Sequence, residues 1–217
     1  MVKQARAEQT RKAILSAAAD AFDRRGYDMT SLADIIAMAG VTKGALYFHF
    51  GSKSELAQAV VEVQHHTWMR IAESAAAPGN PALTSMIRLS HALAAQMATD
   101  PVIRGGIRLT LERGSFERGG TTPYLDWIAM TRELLDRAVE ESDVKGGTDV
   151  TAVAHHIVGS FTGLQLLAHV LDERPKLNDA VTRMWQLLLP ALVPTLRIRH
   201  FLDVAVKAQS QFSNRPV

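Results

Sequence analysis

Lys43, Tyr47, His49 and Lys53 lie close together in the chain and share one chemistry. An ammonium, a phenol, an imidazole and a second ammonium can all hydrogen-bond to phosphate oxygens. Gly44 has no Cβ, so the backbone there can come close to bases or thymine methyl groups. The helices that open at Thr42 and Ser52 add partial positive charge at their N-termini. Further upstream, Lys3, Arg6, Arg11 and Lys12 face only Glu8, a local balance of +3 in a chain whose net charge is +2. Such a run is either a solvated face or a nucleic-acid contact, and the mild overall charge does not choose between them.

Other chemistries find little support. The chain has no cysteine, which excludes disulfides, thiolate metal sites and cysteine nucleophiles. His65-His66 and His155-His156 are adjacent pairs that point to different helix faces and cannot chelate as an i,i+4 pair would. His91 and His169 sit alone on apolar helices as core or interface groups. No Ser/His/Asp order or paired carboxylate stands out. The expectation is a protein with no catalytic residues, no metal and no cofactor. No apolar run is expected to approach the roughly 18 residues of a membrane span. The start leads into a charged helix rather than a signal peptide, so a soluble, cytoplasmic protein without a membrane partner is expected.

The elements that must position these groups are helices. The 217 residues are 47% hydrophobic and 21% charged, ordinary globular values with chain enough for one large domain or two small ones. Apolar residues recur at three- and four-residue steps, as in Ile14-Ala18-Phe22 and Val153-Ile157-Phe161-Leu164, and no stretch alternates long enough for a strand. The fold class is all-α. A first helix is expected from about Ala7 to Arg25, stopping at Gly26. Ser31 with Asp34 and Ser52 with Glu55 read as capping boxes. Asn80-Pro81, Asp100-Pro101 and Thr122-Pro123 place a capping side chain before a first-turn proline. Long helices are expected over about 52–77, 81–98, 101–111, 123–143, 149–172 and 178–189, with Pro190 and Pro194 breaking the last one. A final segment should run to about Lys207. Residues 114–120 form a glycine-rich candidate loop. The expected division is a DNA-binding domain at 1–52, a larger helical domain at 53–207 and a tail at 208–217.

Within 30–50 the pattern is helix, tight turn, helix. Leu32, Ile35 and Ile36 make one apolar face, Ala39 permits close approach, and Gly40 can take the positive φ of the turn. Leu46 and Phe50, four apart, point to the core, which leaves Lys43 and Tyr47 on a different face. Such a unit can lay its second helix in the DNA major groove. On periodicity alone a helical hairpin packed inside an enzyme reads equally well.

Residues 9–56, and above all Gly40-Val-Thr-Lys-Gly-Ala-Leu-Tyr-Phe-His-Phe-Gly-Ser-Lys-Ser-Glu-Leu56, resemble the N-terminal domain of the tetracycline-repressor (TetR) family. The resemblance implies that Thr42, Lys43, Gly44, Tyr47, His49 and Lys53 meet DNA. It also implies that Val41, Leu46 and Phe50 are core. Arg6–Arg11, Ala18–Tyr27, Pro101–Leu109 and the region of Trp127 also resemble the γ-butyrolactone-type autoregulator receptors of antibiotic-producing actinomycetes. That resemblance implies a small-molecule pocket in the C-terminal bundle and dimerisation through its last two long helices.

For the pocket, Trp127 offers a flat apolar wall and an N–H donor that suits a lactone, though a packed core tryptophan reads the same way. Thr131 shares its face one turn on. Thr162, Gln64, Met86 and Leu89 complete the candidate lining, each with a structural alternative. For the dimer, Val158, Leu166, Leu167 and Val170 form a second apolar cluster on helix 149–172. Met184, Trp185, Leu187 and Leu188 are expected to complete a four-helix interface. The expected function is a homodimeric repressor on a palindromic double-stranded operator, released by a γ-butyrolactone or butenolide signal. The alternatives are an efflux regulator responding to a drug-like cation, and a helical enzyme or carrier with an incidental hairpin.

Overall fold

The computed structural model describes residues 2–113 and 122–213. Among these the chain forms helices α1 (Val2–Arg25), α2 (Leu32–Ala39), α3 (Lys43–His49), α4 (Lys53–Ala75), α5 (Ala82–Thr99), α6 (Pro101–Arg113), α7 (Thr122–Glu140), α8 (Val150–Val170), α9 (Leu177–Leu192) and α10 (Ile198–Ser213). No strand occurs among the described residues. The loop expected at 114–120 lies outside them.

Two compact units result. The first holds residues 1–68 and 100–121, the second residues 69–99 and 122–217. This differs from a boundary at residue 52, because α6 packs along α1 and joins the N-terminal unit. Two glycines let α6 come close to its neighbours, Gly105 to α1 and Gly106 to α4. A Cβ on Gly105 would lie 2.4 Å from the Ala19 carbonyl oxygen, and one on Gly106 would lie 2.5 Å from Gln64 Cβ. Charged groups fix the register. Arg104 Nε donates to Asp23 Oδ2 at 2.7 Å, and Arg108 donates to the Asp23 carbonyl at 2.6 Å and to Glu112 at 2.7 Å. Glu112 in turn accepts the Tyr27 N–H at 2.8 Å. The core of this unit is Ile14, Ala18, Phe22, Ile35, Leu46, Phe50, Leu56, Val60 and Leu109.

The second unit packs α5 against α7, α9 and α10, and α8 against α7 and α9. At its centre the fully buried Trp185 donates from Nε1 to Ser90 Oγ at 2.8 Å, and Ser90 donates to the Ile87 carbonyl. His91 is also fully buried, with Nδ1 2.7 Å from Asn178 Oδ1. Burial pushes its pKa below the ordinary value, so the ring is neutral and donates through Nδ1.

Several boundaries depart from the expectation, each for a physical reason. Helix α1 starts at Val2, since no breaker precedes Ala7. Asn80 does not cap α5; its amide donates to the Ser74 and Ala75 carbonyls at the end of α4, while Glu141 accepts the Ala82 N–H. Asp100 does cap α6 by accepting the Val102 N–H at 2.8 Å. Pro190 lies inside α9 rather than ending it. The last carbonyls there are met by Lys145, whose Nζ donates to Pro190 and Ala191 and whose N–H donates to Leu192. Residues 208–213 are not a tail: α10 continues through them, Ala208 is buried, and Gln209 accepts from Thr182 and donates to Asp179. Finally, contrary to the expectation from sequence, α8 is long and apolar enough to cross a membrane by length and composition, because its few polar residues are scattered among apolar ones.

Candidate functional site

The turn between α2 and α3 is specified locally. Ser31 Oγ accepts the Asp34 N–H at 3.1 Å while Asp34 accepts the Ser31 N–H at 3.1 Å, the expected capping box. The Ser31 hydrogen bonds, with Arg25 nearby, hold the Asp34 carboxyl below the ordinary carboxylate range. Gly40 takes φ 63°, where a side chain would be strained even though the space around it is open. Thr42 Oγ1 then caps α3 by accepting the Ala45 N–H at 3.2 Å.

Helix α3 divides into two faces. Leu46 and Phe50 are buried against α1 and α2 residues, and Val41 is half-buried at the edge of the same cluster. Thr42, Lys43, Gly44 and Tyr47 face outward, and the Lys43 ammonium lies 5.9 Å from the Tyr47 ring. His49 is half-buried, its ring edge-on to Phe48 at 5.0 Å. A Cβ at Gly44 would meet nothing within 4 Å, so its smallness serves no packing inside this unit. Phe48, 80% exposed, was not among the residues read from sequence. The signal was present: with Leu46 and Phe50 committed to the core, the register turns Phe48 outward.

Lys53, expected to meet DNA, also makes contacts inside the unit. Its Nζ donates to the Tyr27 carbonyl at 2.8 Å and the Thr30 carbonyl at 2.9 Å, and sits 4.3 Å from the Tyr27 ring centroid. An ammonium has three donors, and two are committed to the turn that leads into α2. Lys53 positions the helix-turn-helix in this structure.

The candidate ligand residues fall in both units. Trp127 and Thr131 are buried on one face of α7, with Tyr124 edge-on to the indole at 5.1 Å. Met86 and Leu89 are buried on α5, and Thr162 is half-buried on α8. Gln64 belongs to the N-terminal unit, where it lies against Gly106. It is fully buried, and neither its amide oxygen nor its amide nitrogen has a hydrogen-bond partner among the described residues. An amide left so in an apolar setting costs about 1–3 kcal/mol.

The candidate dimer residues lie along α8 and α9. Leu166, Leu167, Val170, Leu171 and Leu187 are exposed, and Val158 and Leu188 are half-buried. Met184 is buried from solvent yet, with Leu188, Leu164 and Leu167, lines an open groove of about 420 Å³ between the two helices. Trp185, expected on this face, points the opposite way into the core, because its indole N–H is met by Ser90 of α5.

Comparison with known proteins matches both parts of the chain. Residues 14–60 match the model for bacterial regulatory proteins of the tetR family, and residues 80–194 match the tetracyclin repressor-like C-terminal domain. The chain is 37% identical over 216 residues to the A-factor receptor protein of Streptomyces griseus, covering 97% of this chain and 75% of that protein. A solved gamma-butyrolactone receptor (ArpA-like protein) superposes with a TM-score of 0.85 at 38% identity, over 95% of this chain and 99% of that one. CprB of Streptomyces coelicolor, solved with its biological operator sequence, gives a TM-score of 0.83 at 38% identity with the same coverage.

Proposed function

The chain belongs to the TetR family of bacterial regulatory proteins, and we propose that it is a ligand-released repressor acting as a homodimer on a palindromic operator. The observation that carries this reading is α3: one face is seated in the core through Leu46 and Phe50, and the other offers Thr42, Lys43, Gly44, Tyr47 and Phe48 to an outside partner. A short helix with cations, hydroxyls and an aromatic at its tip suits the major groove, where such groups meet phosphates, base edges and thymine methyls. Two copies would read half-sites about one helical turn apart, or a multiple of that.

A second copy of the chain covers the apolar face of α8 and α9 in this reading. The face carries adjoining leucines from both helices and a groove whose lining also includes Arg183 and His156, a mix of apolar centre and polar groups that suits an isologous interface. The signal is of the γ-butyrolactone or butenolide type. Support comes from the likeness to a gamma-butyrolactone receptor and to the A-factor receptor over nearly the whole chain. It also comes from the neutral chemistry of the candidates: in the second unit the indole of Trp127, the hydroxyls of Thr131 and Thr162 and the apolar Met86 and Leu89, and in the first unit the unpartnered amide of Gln64. A lactone carbonyl and a hydroxyl would satisfy the two orphaned atoms of Gln64. The signal then releases DNA to the extent that it prefers the conformer that does not bind DNA, with α4, which contributes to both units, carrying the change.

A gel-shift series with the chain's own promoter region tests the reading. DNA bound in the absence of ligand and released by butyrolactones or butenolides is the expected result. Equal retention with and without them refutes the coupling, and release by lipophilic cations instead points to an efflux regulator. Gln64→Leu sharpens the test. It should remove release by the lactone while raising the unfolding free energy by about 1 kcal/mol, since it deletes an unsatisfied polar group at similar volume.

A further inference from the structure

The chain has no cysteine, so its oxidisable sulfur is carried by methionine. Most of that sulfur is sheltered. Met86, Met97 and Met184 are buried, and Met69 and Met130 are half-buried. Among the described residues the exposed methionines are Met29, at 77%, and Met38, at 45%. Both fall in the first unit and bracket α2: Met29 stands two residues before the N-cap Ser31, and Met38 two residues before the C-cap Gly40.

The backbone around Met29 is fixed from inside. Lys53 Nζ donates to the Tyr27 and Thr30 carbonyls, the Thr30 N–H donates to the Tyr27 carbonyl at 3.3 Å, and Thr30 Oγ1 donates to the Gly26 carbonyl at 2.7 Å. Thr30 is buried, whereas Met29 beside it stands in water between the exposed, polar Asp28 and Ser31. That setting differs from the exposed leucines of α8, which adjoin one another and suit a partner. Packing gives no reason for a thioether at the tip of this turn, and its sulfur is open to small solutes.

We propose that the Met29 thioether is a site of reversible oxidation by hydroperoxides, and that the sulfoxide weakens operator binding. The assignment rests on the operator-binding reading above and adds a second input to it, chemically separate from the lactone. In the oxidation a sulfur lone pair attacks the terminal oxygen of the hydroperoxide and the O–O bond breaks. The sulfur loses two electrons and keeps that oxygen, while the proton passes to the other oxygen, which leaves as water or an alcohol. Two thiols of a methionine sulfoxide reductase system reverse the step, giving thioether, disulfide and water. The consequence follows from position. In a helix-turn-helix the helix ahead of the recognition helix crosses the DNA backbone, and Met29 stands just before the N-terminus of that helix. A sulfoxide oxygen is the negative end of a strong dipole, and each of two copies would set one beside the phosphates.

The experiment treats the full chain, free of DNA, with hydrogen peroxide. Peptide mass spectrometry follows oxygen uptake at each methionine, and affinity is measured for a labelled duplex that untreated protein has selected from a random-sequence pool. Met29 should take up oxygen several times faster than the buried Met86 and Met97, because susceptibility follows exposure. Affinity should fall by about fivefold as Met29 is converted, and return on incubation with the reductase and a dithiol. The unfolding midpoint should hold, since the side chain is not packed. Met29→Leu, compared with its own untreated sample, should lose less than about twofold, while Met38→Leu should respond as the wild type does. Uptake at Met29 no faster than at the buried methionines overturns the site. An unchanged affinity after conversion, or an equal loss in treated Met29→Leu, overturns its effect on DNA. Untreated protein that selects no duplex overturns the operator reading instead, a failure distinct from these, which all start from a protein that binds.

Discussion

Helices α3 and α8 both leave large hydrophobic side chains in water, yet they are built for different partners. In α3 the exposed Tyr47 and Phe48 stand among Thr42, Lys43 and His49, on a helix of seven residues. In α8 the exposed Leu166, Leu167, Val170 and Leu171 adjoin one another and continue onto Leu187 of α9. The first surface mixes aromatic faces with cations and hydroxyls, which suits a polyanion that also offers bases. The second is apolar over a wide area and suits a copy of itself. What surrounds an exposed apolar group tells more about its partner than the exposure does.

The sharpest way to break this contrast is to remove the polar half of α3. Lys43→Ala with Tyr47→Ala should weaken operator binding at least about 100-fold, given about 1–3 kcal/mol per good contact and two copies per site. The same protein should sediment as the wild type does. Retained binding in a gel shift would dissolve the distinction between the two surfaces. The reciprocal change, Leu166→Glu with Leu187→Glu, sets carboxylates within the apolar face. It should shift the dimer–monomer equilibrium by about 100-fold toward monomer, as expected for charges buried without partners. Analytical ultracentrifugation reads this directly, and an unchanged sedimentation coefficient would locate the interface elsewhere.

Phe48→Ala refines the picture of α3. With 80% of Phe48 exposed, the loss should fall on DNA affinity, about tenfold, and leave the unfolding midpoint within about 1 °C of wild type. A drop in midpoint with affinity intact would assign Phe48 to folding. The smallest effect is a control inside the second unit. His91 resists protonation in the folded state, whereas in the unfolded chain it takes a proton near its ordinary pKa of 6.5. Unfolding therefore takes up a proton as pH falls below that value, and stability declines in that window. His91→Gln should lessen the decline seen in thermal melts, while operator binding at neutral pH stays as it was.

The helix-turn-helix was readable from sequence because its determinants are local. Ser31 and Asp34, Gly40, and Thr42 with the Ala45 N–H each act within four residues, and the outward face of α3 follows from the placement of Leu46 and Phe50. Family resemblance supplied the rest of the expectation at Trp127 and along α8. What escaped was settled over long stretches of chain. Lys53 was read by its charge and position, but its donors go to carbonyls more than twenty residues earlier. Trp185 was read by its apolar neighbours on α9, but Ser90 of α5 decides which way it points. The end of α9 past Pro190 is met by Lys145, which donates to the last carbonyls from more than forty residues away. None of these partners has a periodicity that announces it.

The seating of Gly105 and Arg104 on α1 bears on any attempt to graft this reading head onto another sensor. A crossover placed in α4, the obvious seam in the linear sequence, would leave Asp23 facing a foreign α6 and Ala19 pressed by whatever replaces Gly105. A chimera that transplants residues 100–113 together with 1–68 keeps those seats filled. Donor and recipient must therefore be spliced at three junctions, and hybrids cut at one should express poorly for reasons unrelated to the DNA they were meant to recognise.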